Sequence, residues 1–134
     1  MIDIENEVFT IVATAIRTLH AGTTIKSEYV RSPAVFPTVS LCEIDNVNIA
    51  TLADSSGEEK YAGLGYRLQV FSNKEGGKKS EAKAIFKTAD HILCGLGFRR
   101  STYSTTPEIY NSTIFSISAT YEAIVDKKGT IFRR

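Results

Sequence analysis

The chain has 134 residues, 43% hydrophobic and 23% charged, the make-up of a soluble globular domain long enough for one core without staples. Sixteen Lys and Arg face fifteen Asp and Glu; the net charge of +1 excludes a global pull toward nucleic acid, membrane or acidic substrates. Cys42 and Cys94 read as reduced thiols, no run approaches the roughly 20 apolar residues of a membrane span, and the acidic opening MIDIENE is not a secretory signal, so folding in a cytoplasm is expected.

Asp3 is placed to cap a first helix, and Glu5 and Glu7 suit the positive end of its dipole. Ile4, Val8, Ile11, Val12, Ala15, Ile16 and Leu19 recur at three- and four-residue steps as one apolar stripe, and Gly22 is the stop signal. Residues 24–31 alternate weakly and read as an outer strand. Pro33 and Pro37 frame a turn, and residues 38–44 read as a short strand. Residues 45–60 are polar and aperiodic, a long loop or extended arm. Residues 61–72 alternate again, with Ala62, Leu64, Tyr66, Leu68 and Val70 on one side and Tyr61, Arg67, Gln69 and Phe71 on the other. Gly63 and Gly65 share the second side and predict a bend or a close backbone approach.

Gly76 and Gly77 turn the chain into a second helix over 78–94, with Ala82, Ile85, Phe86, Ala89, Ile92 and Leu93 at helical spacing and Gly95 and Gly97 at its end. A polar strand starts at Phe98 and stops before Pro107; a long alternating run covers 109–125; Asp126 to Gly129 form a tight turn, and residues 130–132 fold back as a last short strand. The order is α-β-β-β-α-β-β-β. It predicts a single α+β domain over 1–134, a two-layer sandwich with both helices on one face of an antiparallel sheet.

Several clusters carry residue types that can do chemistry. The run from Ser72 to Ser80 sits where a phosphate loop would, but Ser72 replaces the first required glycine and Lys79 the final Ser or Thr, so a plain chain reversal is the better reading. Glu81 and Lys83 match half of a metal-nuclease pattern, but two residues apart on a helix they diverge. His20 and His91 stand on separate helices without companions at metal spacing. Pairs at Lys78-Lys79, Arg99-Arg100, Lys127-Lys128 and Arg133-Arg134 read either as a nucleic-acid patch or as scattered solubilising charge; the near-equal acid count favours the second. No catalytic, metal-binding or cofactor-binding residue is assigned, and no cofactor is expected.

The segments YRLQVFSNKEGGKKSEAK and ILCGLGFRRS, and a long strand ending TYEAIVDKKGTIFRR, together with FPTVSLCEIDN before them, resemble the tail terminator (tail-completion) family of long-tailed bacteriophages and prophages. The resemblance is strongest over 36–134 and rests on no catalytic motif. It implies a virion structural protein at the head–tail junction, the neck: a homo-oligomeric ring, commonly a hexamer, that caps the tail tube and meets the head connector or head-closure protein while DNA passes through its hole. It implies no membrane and no enzyme activity. The alternatives are a head–tail adaptor or head-closure subunit, then a DNA-binding module or a nuclease. In that frame Arg67, Gln69, Phe71, Arg99 and Arg100 are candidate subunit-interface residues. Asp54, Glu58 and Glu59 are candidates for contact with the tail tube or a neighbour, and Arg133 and Arg134 for contact with the lumen or a neighbour. An ordinary solvated face, a surface loop and a frayed tail are the respective bland readings.

Overall fold

A computed structural model describes residues 1–49, 61–107 and 113–132. Two helices, α1 (Glu5–Leu19) and α2 (Lys78–Leu96), lie on one face of a six-stranded sheet of β1 (Thr24–Lys26), β2 (Thr38–Asn48), β3 (Tyr61–Ser72), β4 (Arg99–Pro107), β5 (Phe115–Asp126) and β6 (Ile131–Phe132). The spatial order is β1-β2-β3-β5-β4, with β6 pairing with the end of β5. The fold is the expected α+β sandwich, with one departure. β1 runs parallel to β2, so the sheet is mixed rather than antiparallel. Only three residues of the expected 24–31 strand pair; the rest turns away over the sheet.

The core follows the alternation. Ala62, Leu64, Tyr66, Leu68 and Val70 of β3 meet Val8, Val12 and Ile16 of α1 and Ala82, Ile85, Phe86, Ala89 and Leu93 of α2. Ile117, Ala119, Tyr121, Ala123 and Val125 of β5 complete the same layer. The N-cap of α1 is Ile4, one residue later than predicted, yet the Asp3 carboxylate still accepts the Glu5 amide at 3.1 Å. The helix ends at Leu19 rather than at Gly22, and His20 Nε2 lies 2.8 Å from Thr88 Oγ1 of α2, tying the two helices together.

At the other helix, Gly97 takes a left-handed φ of 113°, and the Gly97 and Phe98 amides reach back to the Cys94 and Leu93 carbonyls. A Cβ added at Gly97 would lie 2.9 Å from Ile131 Cγ2. At the start of α2, Glu81 accepts a hydrogen bond from Ser72 Oγ at 2.7 Å, which fixes the helix to the end of β3. Among the described residues, no helix is long and apolar enough to cross a membrane.

One cross-strand row runs through the centre: Glu43, Tyr66, Tyr121 and Arg100, in register across four strands. The register slips beside this row twice, leaving Ile44 extra in β2 and Ser101 extra in β4. β2 therefore continues to Asn48, four residues beyond its expected end, where the broken alternation hid it. Glu43 sits against α1: its amide donates to Glu5 Oε2 at 2.6 Å, while its own Oε1 and the Tyr66 hydroxyl find no hydrogen-bond partner. Burial, with the negative charges of Glu5 and Asp3, raises the Glu43 carboxyl above its ordinary value of 4.5.

Gly97→Ala is expected to lower the unfolding free energy by about 1–3 kcal/mol, since it meets both a left-handed backbone and Ile131. Gly95→Ala, with nothing near its new methyl, is expected to gain up to about 1 kcal/mol. Urea titrations of the two variants measure the contrast. Because the folded state holds the Glu43 proton to higher pH than the unfolded chain does, stability contributed there falls as pH climbs from 4.5 through the folded value. Glu43→Gln is therefore expected to raise the melting temperature at pH 7 and to lose that advantage below about pH 4.5. A pH series of thermal melts on both proteins checks this.

Candidate functional site

The sheet face away from the helices divides into two halves. Thr38, Ser40, Gln69 and Phe71 form one half, and residues 27–37 of the same chain fold over it. Ser40 Oγ donates to the Glu28 carbonyl, and the Val30 amide donates to Gln69 Oε1 at 3.3 Å. The Arg67 guanidinium lies 5.5 Å over the Tyr29 ring. Gln69 and Phe71 are consequently 8% and 3% exposed, which leaves them little surface for a neighbour. The mixed character of this face, noted in the sequence, is explained by the chain covering itself.

The other half carries no such cover from the described residues. Val47, Gly63 and Ile124 form one row across β2, β3 and β5, with Ile49 beside Gly63. The next row is Asp45, Gly65, Glu122 and Arg99, where Arg99 Nη2 pairs with Glu122 Oε2 at 3.5 Å. Ile44 is 44% and Val47 53% exposed. Gly65 is required: a Cβ there would come within 2.9 Å of the Asp45 Cβ, because the β2 bulge swings that residue over it. At Gly63 a methyl would meet only ordinary contacts. Toward β4 the face turns to hydroxyls, with Thr120 Oγ1 2.7 Å from Ser101 Oγ and 2.6 Å from Thr102 Oγ1.

The five residues expected at one contact are thus separated. Arg67 and Arg99 share the helix-free face, Gln69 and Phe71 lie beneath residues 27–37, and Arg100 points to the helix side. Asp54, Glu58, Glu59, Arg133 and Arg134 lie outside the described residues.

Arg100 belongs to a second feature, a groove of about 340 Å³ between α2 and β4 lined by Lys83, Phe86, Lys87, Asp90, Arg100 and Tyr103. Its floor is anchored by Asp90, whose Oδ1 accepts the Tyr121 hydroxyl at 2.6 Å and Arg100 Nη1 at 2.9 Å. Burial, then the bond to Asp90, pushes the Tyr121 phenol well above its usual range. Tyr103 packs edge-on against Phe86, centroids 5.1 Å apart, and lies under the Arg100 guanidinium. In the sequence Arg100 stands out beside Arg99 and as an interface candidate, Lys83 only beside Glu81, and Lys87 not at all. Their convergence depends on Ser101, which reverses the parity of β4 and brings Arg100 and Tyr103 to the same side.

Cys42 and Cys94 are not joined in a disulfide, and among the described residues no group of three or more His, Cys, Asp or Glu is arranged to hold a metal ion. No protein-family description and no curated protein matches the chain.

Asp90→Ala strands the fully buried Tyr121 hydroxyl and is expected to cost about 1–3 kcal/mol in denaturant unfolding. Pairing it with Tyr121→Phe, which removes the stranded group, is expected to recover part of that loss in a double-mutant cycle.

Proposed function

We propose that this chain is a ring-forming structural subunit of the head–tail junction of a long-tailed bacteriophage or prophage. In this reading it acts as a tail terminator, closing the tail tube and presenting a surface to the head connector while DNA passes through the ring. The ordered motifs that resemble that family support the reading, and one structural observation carries it. The apolar row Val47, Gly63 and Ile124, with Ile44 and Ile49 beside it, sits on the helix-free sheet face with no described residue packed above it.

A sheet face of this kind is favourable to cover: each Å² of apolar surface removed from water contributes about 25 cal/mol. The space over Gly65 is taken by Asp45 and Ile44, and Ile49 flanks Gly63, so side chains of β2 and of Ile49 form the raised apolar surface there. The flanking charges Asp45, Glu122 and Arg99 suit a polar rim around an apolar centre. A ring needs two different surfaces on each subunit, joined head to tail by a rotation that closes. This face supplies one of them.

Val47→Lys places a charge in the apolar row at an exposed position. It is expected to abolish ring assembly and rescue of a gene-deleted phage while leaving the melting temperature nearly unchanged. The decisive measurement is cryo-electron microscopy of particles with and without the protein. Density in the neck directly on the tail tube, and its loss with unjoined heads and tails in the deletion, is the expected result. Density against the portal instead would make it an adaptor or head-closure subunit; absence from the neck would end the proposal.

A further inference from the structure

We propose that the groove between α2 and β4 is a docking site for an acidic, extended segment of another protein, which adds to β4 as a further strand and sets alternate carboxylates against the lysines of α2. The inference stands apart from the ring reading, which uses the opposite face of the sheet. Among the described residues β4 ends the sheet and pairs with β5 alone, so the backbone groups of its outer edge are open to strand addition. Every residue from Ser101 to Thr105 is exposed. The bulge at Ser101 lies near one end, and from Thr102 to Pro107 the register with β5 runs without a break. At the opposite margin of the sheet β1 offers only three residues.

A row of cations lies alongside this edge. Lys79, Lys83 and Lys87 follow one another at four-residue steps on α2, and all three are exposed. Like charges at that spacing repel. The only acid of α2 three or four residues from any of them is Asp90, already held by Arg100 and Tyr121. Neither Lys83 nor Lys87 makes a salt bridge with a described residue. The groove thus carries positive charge that an anionic occupant neutralises.

The form of the occupant follows from the geometry. Helix α2 and β4 run side by side in opposite directions: Asp90 meets Arg100, and one turn back along the helix Phe86 meets Tyr103. A strand added to β4 therefore runs along α2. Successive lysines rise about 6 Å along the helix, and alternate residues of a strand, which share a side, stand about 6.7 Å apart. Two carboxylates two residues apart match Lys83 and Lys87, and the Tyr103 ring, 43% exposed, offers apolar surface to their stems. β4 itself, from Arg99 to Pro107, contains no acid, so the same edge of a second copy does not supply this charge. A nucleic acid supplies the charge but does not pair with the open edge as a strand.

The test uses the full chain and a fluorescein-labelled octapeptide alternating Glu and Thr, with binding read by fluorescence anisotropy. Binding that weakens with added salt is expected. Lys83→Glu with Lys87→Glu is expected to weaken it about tenfold or more, and Lys83→Gln with Lys87→Gln by less. A peptide with Lys in place of Glu is expected to bind the charge-reversed variant and not the unaltered chain. Neighbouring residues of a strand turn their amides to opposite edges. N-methylation of the Glu amides alone, or of the Thr amides alone, is therefore expected to abolish binding in one case and spare it in the other. No anisotropy change with protein at about 1 mM overturns the inference. So does binding that the lysine variants leave unchanged, or that the two methylation patterns affect alike. Tighter binding of a labelled oligothymidylate than of the Glu-Thr peptide overturns it in favour of a nucleic acid.

Discussion

Two tyrosines in the middle of the sheet, Tyr66 and Tyr121, face each other in register and are almost completely buried. A buried phenol calls for a partner for its hydroxyl, and of the two only Tyr121 has one among the described residues. Tyr121 reaches Asp90 on α2, and Arg100 on β4 reaches the same oxygen, so one carboxylate fixes a helix, a central strand and an edge strand at a single point. Tyr66 packs against Phe98 and lies beside Glu43, in a cluster whose negative charges are held close to α1. The polar row thus sets where each helix sits along the strands, while the apolar residues on either side set how closely it sits.

Once the helices are positioned, the surfaces follow. α2 is held near enough to β4 to leave a groove rather than a closed contact, and the Ser72–Glu81 and His20–Thr88 bonds keep the helix layer in place at its margins. The segment after β1 is drawn over the opposite face by Gln69 and Ser40, polar groups that would otherwise be buried without partners. That cover stops short of the Gly63 and Gly65 rows. The division of the sheet into a self-covered half and an uncovered half is therefore a consequence of where hydrogen-bonding side chains occur on β2 and β3.

Much of this architecture was readable in the residues. Both helices, the core side of β3 and the alternation of β5 emerged from periodicity because apolar side chains there repeat without interruption. The parallel pairing of β1 was not readable: three residues carry no directional signal, and the partner strand is chosen by tertiary packing. The full length of β2 was lost for another reason. The extra residue, Ile44, shifts the alternation by one, so Asp45, Asn46, Val47 and Asn48 look aperiodic although they pair. Arg67, Gln69 and Phe71 were correctly assigned to one side of β3, but no pattern of spacing tells whether a neighbour or the chain's own loop lies over them. The groove was invisible for a similar reason, since Lys83 and Arg100 are brought together only by the packing of α2 on β4.

The two extra residues, Ile44 and Ser101, flank the same central row from opposite sides on strands that are not neighbours. Bulges sharpen local twist and bend the strand that holds them. Placed this way they lie on either side of the central row, and the portion beyond Ile44 carries Val47 and Ile124. The angle between the portions is written into residue count, because no change of side chain can remove an inserted peptide unit. Curvature in any assembly built from this plate would then be inherited from the covalent chain itself, and a single deletion at either position would alter the geometry of every joint at once.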